Sequence, residues 1–319
     1  MAWIFVALGL VTLLLAGDFL VRGAVNLALR LGISALLVSL TVVAFGTSAP
    51  ELLIVLSAMA DGASGLAMGN VIGSNTANIL LVLGLPALIA GLHTADFSPK
   101  KSFLLMILAT VLFIGLAFFG PFTWWHGGIL LAVLLCILWD QGRSAQRDRQ
   151  AAKTAALVAV EEDGLEGVDP TMPGWKIALY LMFGLVGLPI GARVLVVNAE
   201  LIAKDYGVPE TAIGLTLIAV GTSLPELATT TIAAFRRQGD VALGNVIGSN
   251  MFNLLAIIGI AAFVAPIPVD AAFLRFDLWI MLAASLLLFP MVFFKINFTR
   301  MWGAGLTLLY MAYLFVVLL

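Results

Sequence analysis

Gly46-Thr47-Ser48-Ala49-Pro50-Glu51-Leu52 sets a carboxylate, two hydroxyls and a proline inside an apolar run, with Ser39-Leu40-Thr41-Val42-Val43-Ala44-Phe45 before it and Leu53-Ile54-Val55-Leu56 after it. The pattern returns as Gly221-Thr222-Ser223-Leu224-Pro225-Glu226-Leu227. Glu226 lies 175 residues after Glu51, and Thr222 lies 175 after Thr47. A polar segment that occurs twice in apolar surroundings is read as the two halves of one cation site.

The surroundings are those of a membrane protein. Hydrophobic residues make up 62% of the 319 and charged residues 11%, against about half and about a quarter in soluble domains. Apolar runs of about 20 residues, enough to cross a hydrocarbon core as helices, recur along the chain and leave no room for a soluble catalytic domain. The net charge of −2 says little about partners, because the positions of Lys and Arg relative to the spans carry the information. One cysteine, Cys136, excludes an internal disulfide and a cysteine-based metal site. Met1 to Val21 has no basic n-region and no small-residue cleavage site, so a retained helix is expected there rather than a signal peptide.

Apolar runs and Gly, Pro and charge punctuation predict ten helices, at 3–29, 34–59, 66–90, 101–119, 122–140, 175–203, 211–235, 241–264, 274–294 and 300–318. Residues 141–174 are the only long polar stretch, with Arg143, Arg147, Arg149 and Lys153 followed by Glu161, Glu162, Asp163, Glu166 and Asp169. The expected organisation is a five-helix repeat over 1–140, a linker over 141–174 with a short interfacial helix near 151–160, and a second five-helix repeat over 175–319. With the linker cytoplasmic, Arg30, Lys100, Lys101, Arg236, Arg237, Lys295 and Arg300 also fall inside, and only Lys204 and Arg275 fall outside. Both termini are then external. An odd number of spans per half forces the second half to enter with opposite orientation, so the fold class is all-α integral membrane, ten transmembrane helices in two inverted-topology repeats.

A second motif supports the repeat. Gly69-Asn70-Val71-Ile72-Gly73-Ser74-Asn75 recurs unchanged as Gly244-Asn245-Val246-Ile247-Gly248-Ser249-Asn250, and Asn78 and Gly84 return as Asn253 and Gly259. Inverted repeats of this kind place substrate sites near the bilayer midplane, often where Gly or Pro interrupts a helix.

The residue types suit cations. An acid at a membrane helix centre costs about 2.5–3.5 kcal/mol on insertion scales, and helices two, three, seven and eight offer Glu51 and Glu226 no Lys or Arg at similar depth. A mobile cation is the expected partner. Thr47 and Thr222 stand four residues before the glutamates and Ser48 and Ser223 three before, so each motif helix gathers its oxygens on one face. Ser74 with Asn78, and Ser249 with Asn253, do the same. Pro50 and Pro225 withdraw the N–H groups that would bind the Gly46 and Gly221 carbonyls. An all-oxygen donor set selects hard ions over Zn²⁺ or Cu²⁺, and about 6–8 flexible oxygens suit Ca²⁺ better than the rigid octahedron of Mg²⁺. Hydroxyls and carbonyls around Ser48, Ser74, Ser223 and Ser249 suit Na⁺. One Ca²⁺ or two Na⁺ neutralise two carboxylates, and exchange of more than two Na⁺ per Ca²⁺ moves net charge.

At these motifs the chain resembles the cation/calcium exchanger superfamily, in its sodium/calcium exchanger branch and most of all the bacterial calcium/sodium antiporters. The resemblance implies ten helices in inverted repeats, a site lined by helices two, three, seven and eight, and helices one and six sliding across that core while sodium entry drives calcium out. It implies Glu51 and Glu226 as Ca²⁺ ligands shared with Na⁺, with Thr47, Ser48, Ser74, Thr222, Ser223 and Ser249 as further ligands and the carbonyls of Ala44 and Ala219 assisting. Some relatives carry aspartate where this chain has Asn253. Here Asn78 and Asn253 are both neutral, which leaves stoichiometry and any part for K⁺ or H⁺ open. Residues 141–174 are too short for the calcium-sensing domains of animal relatives.

Other readings compete. The Gly69/Gly73 and Gly244/Gly248 pairs also read as helix-packing glycines. Asp18 and Arg22 read as an internal ion pair, and Arg193 and Glu200 as structural or gating residues. His93, His126, Trp124 and Trp125 are expected at the interface, and Asp61, Asp96 and Asp240 in solvated loops. Paired intramembrane acids could instead form a protease dyad, though no nucleophile motif accompanies them, and a passive channel is a further alternative. No catalytic residue and no cofactor are expected. The partners called for are Ca²⁺, Na⁺ and the lipid of a cell (inner) membrane, with no nucleic acid and no obligatory protein.

Overall fold

A computed structural model describes residues 1–94, 99–147, 169, 171–207 and 219–318. Ten helices carry them, named α1 to α10 in chain order: α1 Ala2–Leu31, α2 Ala35–Thr47 with Ala49–Ala60, α3 Ser64–Ala90, α4 Lys100–Ala117, α5 Trp124–Arg147, α6 Gly174–Asp205, α7 Ala219–Thr222 with Leu224–Phe235, α8 Gly239–Val264, α9 Phe273–Phe294 and α10 Arg300–Leu318. Among the described residues eight helices are long and apolar enough to cross a membrane, and the two parts of α2, bent by 41°, make a ninth. The start of α7 and the expected interfacial helix near 151–160 lie outside the described residues.

Local chemistry sets the boundaries. α1 ends where Gly32 turns left-handed (φ 66°, ψ 42°) and its N–H closes on the last carbonyls, a conformation that glycine adopts without a side-chain penalty. α2 starts at once, because the Ser34 hydroxyl accepts the Leu37 N–H at 3.3 Å, a side-chain N-cap. α5 runs on to Arg147, past the expected end at 140. Polar residues do not by themselves stop a helix, and Gly142 is accommodated within it.

The two halves interlock. The chain leaving α3 pairs Leu92 with Phe298 at the entry to α10, and the chain leaving α8 pairs Ile267 with Phe122 at the entry to α5. Each is a two-way backbone pair, with N···O distances of 2.9 to 3.1 Å. The third helix of each repeat therefore packs on the fifth helix of the other. Gly84 and Gly259, repeat equivalents, make that approach possible: a Cβ on Gly303 would lie 2.7 Å from the Gly84 carbonyl oxygen, and one on Gly127 would lie 2.5 Å from that of Gly259. In lipid, where apolar contact alone gives little drive, close backbone approach at small residues is what holds helices together.

Small residues also join α1 to α6. A Cβ on Gly191 would meet the Leu13 nitrogen at 2.9 Å, one on Gly184 the Leu20 Cα at 2.8 Å, and one on Gly9 the Leu195 nitrogen at 2.7 Å. The pair lies along the flank of α2, α3, α7 and α8, which form the buried centre. Asp18 ties the two regions: it pairs with Arg22 one turn on, at 2.9 Å, as expected, and also with Arg236 at the end of α7.

Two helix starts add detail, and the second corrects an expectation. His126 is buried, 2% exposed, because it lies in the first turn of α5 with its ring turned onto Trp125 and Phe122 and its Nδ1 accepting the Thr123 N–H. Asp240 is not in a loop. It is the second residue of α8, half-buried, and accepts the Val241 N–H.

Candidate cation site

The two glutamate motifs fold alike. Both helices break at the serine before the proline, with Ser48 at φ −84°, ψ 2° and Ser223 at φ −87°, ψ 6°. Pro50 and Pro225 sit in the first turn of the restarted helix, where a missing N–H goes unnoticed. Glu51 and Glu226 each follow as the third residue, close to free N–H groups that favour a negative charge. The bend thus turns one long apolar run into a half-helix whose N-terminus carries a carboxylate inside the molecule.

α3 and α8 supply the facing oxygens. Each contains a π-helical stretch at its asparagine, Asn78–Val82 in α3 and Phe252–Ile257 in α8. Such bulges widen the helix and concentrate at functional sites. Thr47, Ser48, Glu51, Ser74, Asn78, Thr222, Ser223, Glu226, Ser249 and Asn253 are all buried, none more than 6% exposed. Ala44 is buried too, and its carbonyl accepts the Ser48 N–H at 3.0 Å and the Thr47 hydroxyl at 3.3 Å. Ala219 opens the described part of α7.

Contacts cross between the repeats. The Ser48 hydroxyl donates to Glu226 Oε1 at 3.3 Å, Thr47 donates to Asn245 Oδ1 at 3.2 Å, and Thr47 and Ser249 share their hydroxyls at 3.5 Å. The two glutamates, one from each repeat, are both buried. Among the described residues no third acid, His or Cys joins them. Glu51 Oε2, Glu226 Oε2, Ser223 Oγ, Asn78 Oδ1 and Asn253 Oδ1 are buried with no hydrogen-bond partner there. Native interiors leave few such atoms unpaired. Five of them, all oxygens and two from carboxylates, are of the donor type that suits a hard cation.

The expected list omitted Asn245, which bridges Thr47 to the Glu226 carbonyl (3.4 Å) and the Thr230 hydroxyl (3.2 Å). Asn245 stands four residues before Ser249 and eight before Asn253, so the same spacing rule could have found it. The packing reading of the glycines holds in α8. A Cβ on Gly248 would meet the Leu40 oxygen at 2.5 Å and the Ala44 Cβ at 2.6 Å. In α3, among the described residues, Gly73 has no such neighbour and Gly69 has only the Phe273 ring, at 3.7 Å.

A helical membrane protein whose buried centre gathers two acids and a shell of neutral oxygens is a cation transporter rather than an enzyme. The chain belongs to the sodium/calcium exchanger protein family, whose model matches residues 1–141 and 176–319. It is similar to the sodium/calcium exchanger MaX1 of Methanosarcina acetivorans, 31% identical over 99% of this chain and 98% of that one. It is also similar to the inner membrane protein YrbG of Escherichia coli, 33% identical over 88% and 85%. Solved structures of the sodium-calcium exchanger NCX_Mj superpose on it, for example one soaked with Na⁺ and Ca²⁺ at a TM-score of 0.80 and 28% identity, covering 98% of this chain and 96% of that one. The protein is thus a multi-pass antiporter of the cation/calcium exchanger type, with ten helices in two inverted repeats.

Proposed function

We propose that the protein exchanges Na⁺ for Ca²⁺ by alternating access, with the ions bound between the repeats near the bilayer midplane. The observation that carries this reading is the pair of buried glutamates from opposite repeats, each with an unpartnered oxygen and, among the described residues, no buried basic side chain to neutralise it. Glu51 and Glu226 bind Ca²⁺ from two sides and hand their oxygens to Na⁺ in turn. Thr47, Thr222 and the Ala44 and Ala219 carbonyls complete the shell. Ser48, Ser74, Ser223 and Ser249 serve Na⁺, and Asn78 and Asn253 present neutral oxygens. Two carboxylates cannot hold a full set of both ions, so occupancy by one expels the other. That competition couples the two fluxes.

Access changes as α1 and α6, joined by their small residues, move together over the core. Residues 1–140 and 175–319 act as the two inverted halves around the 141–174 linker. The linker faces the cytoplasm, both termini face outward, and the membrane is the inner one.

The test is flux into vesicles containing the purified protein, with Na⁺, K⁺ and H⁺ gradients varied independently. Ca²⁺ uptake that requires an outward-directed Na⁺ gradient is expected. Uptake driven by a pH gradient alone would replace Na⁺ by H⁺ as the coupling ion, a strict need for K⁺ would make it a co-substrate, and gradient-independent leak would indicate a channel.

A further inference from the structure

Four asparagine side chains close a ring between α3 and α8. Asn75 Nδ2 donates to the Asn250 carbonyl at 3.2 Å, and Asn250 Nδ2 donates to the Asn75 carbonyl at 3.3 Å. Asn78 Nδ2 donates to Asn250 Oδ1, and Asn253 Nδ2 donates to Asn75 Oδ1, both at 3.0 Å. All four side chains are buried.

The ring decides which way two amides point. An asparagine amide is almost symmetrical in shape, so either its oxygen or its NH₂ can be turned to a given side, and the hydrogen-bond network selects between them. Main-chain carbonyls only accept. The NH₂ groups of Asn75 and Asn250 are therefore the ends that face each other's backbone. Their Oδ1 atoms must lie at the other end, where they also only accept. Asn253 and Asn78 are then obliged to turn NH₂ toward the ring, which leaves their own Oδ1 atoms off it, buried and without a partner among the described residues. A flipped amide would turn two N–H dipoles where an oxygen now stands, converting a cation ligand into a repelling group.

We propose that Asn75 and Asn250 are positioning residues of the cation site, each holding the asparagine of the opposite repeat with its oxygen toward the ion: Asn75 acts on Asn253, and Asn250 acts on Asn78. This rests on the cation-site reading above. The action is crossed, and that makes it testable, since a simple structural clasp between α3 and α8 has no reason to distinguish Asn78 from Asn253.

The experiment measures the Ca²⁺ dissociation constant of the full chain in detergent by titration calorimetry, together with the melting temperature without cations. Asn75→Leu is expected to weaken Ca²⁺ binding about tenfold, the loss of one well-oriented contact to a charge. Adding Asn253→Ala to Asn75→Leu should weaken it no further, while adding Asn78→Ala should weaken it by as much as Asn78→Ala does alone. Equal coupling to both asparagines, or a lower melting temperature with an unchanged dissociation constant, overturns the proposal. Should Asn75→Leu fail to fold, Asn250→Leu must show the mirror pattern, coupled to Asn78→Ala and independent of Asn253→Ala. Ca²⁺ binding that is lost in Glu51→Gln but lacks the crossed pattern overturns the positioning role alone. Binding indifferent to Glu51→Gln and Glu226→Gln removes the site itself.

Discussion

The centre of the molecule and its flank are held together by opposite means. In α2, α3, α7 and α8 the contacts that matter are polar and directional: Ser48 to Glu226, Thr47 to Asn245, and the asparagine ring. Between α1 and α6 they are contacts of shape, glycine against backbone over the turns from Gly9 to Leu20 and from Gly184 to Leu195. Hydrogen-bonded networks define one arrangement and resist change. A smooth interface of small residues keeps two helices together by shape rather than by polar contacts. The difference matches the division of labour proposed above, in which the core selects the ion and the flank moves.

The largest expected effect tests the core. Glu51→Gln or Glu226→Gln keeps the shape of the side chain and removes half of the site's fixed charge, so Na⁺-driven Ca²⁺ uptake should disappear. The protein should still fold, with a melting temperature no lower than the parent's, because a neutral amide is easier to bury than an unpaired carboxylate. Uptake retained in either variant would mean that the charge of the core does not select the ion.

The next effect tests the flank. Gly184→Val forces a side chain against the Leu20 backbone, and overpacking of this kind costs about 1–3 kcal/mol. The melting temperature should fall and transport should slow about tenfold or more, in line with that energy. The Ca²⁺ dissociation constant should hardly change, since no ligand has moved. If binding weakens as much as transport, the two regions are not separable in the way the packing suggests.

Much of this was visible in the chain itself. The duplicated Gly-Thr-Ser-x-Pro-Glu-Leu segments located both helix breaks, because proline removes the same N–H wherever it occurs, and i,i+4 spacing gathered Ser74 with Asn78 and Ser249 with Asn253. Contacts between the repeats were less visible. Nothing in the spacing of Asn75 and Asn250 shows that they meet, since the partner lies 175 residues away and across a two-fold relation that only the folded chain makes explicit. The π-helical stretches at Asn78 and Phe252 left no compositional mark, being a response of the backbone to packing. The burial of His126 was not legible because nearness to a helix end says nothing about which side of the helix faces inward.

The smallest expected effect concerns a place where, among the described residues, core and flank are joined by charge. Asp18 in α1 meets Arg22 and, across the boundary, Arg236 of α7; Asp18 and Arg22 are partly open to solvent while Arg236 is 11% exposed. Screening limits such a contact to about 1 kcal/mol, too little to weld the flank to the core and enough to bias where it rests. Asp18→Asn should therefore leave the Ca²⁺ dissociation constant unchanged and alter the transport rate by roughly fivefold at most, the factor that about 1 kcal/mol carries. The change should shrink as ionic strength rises and the parent's own contact is screened. A loss of transport as complete as that of Glu51→Gln would place Asp18 in the ion path and erase the line between the two regions.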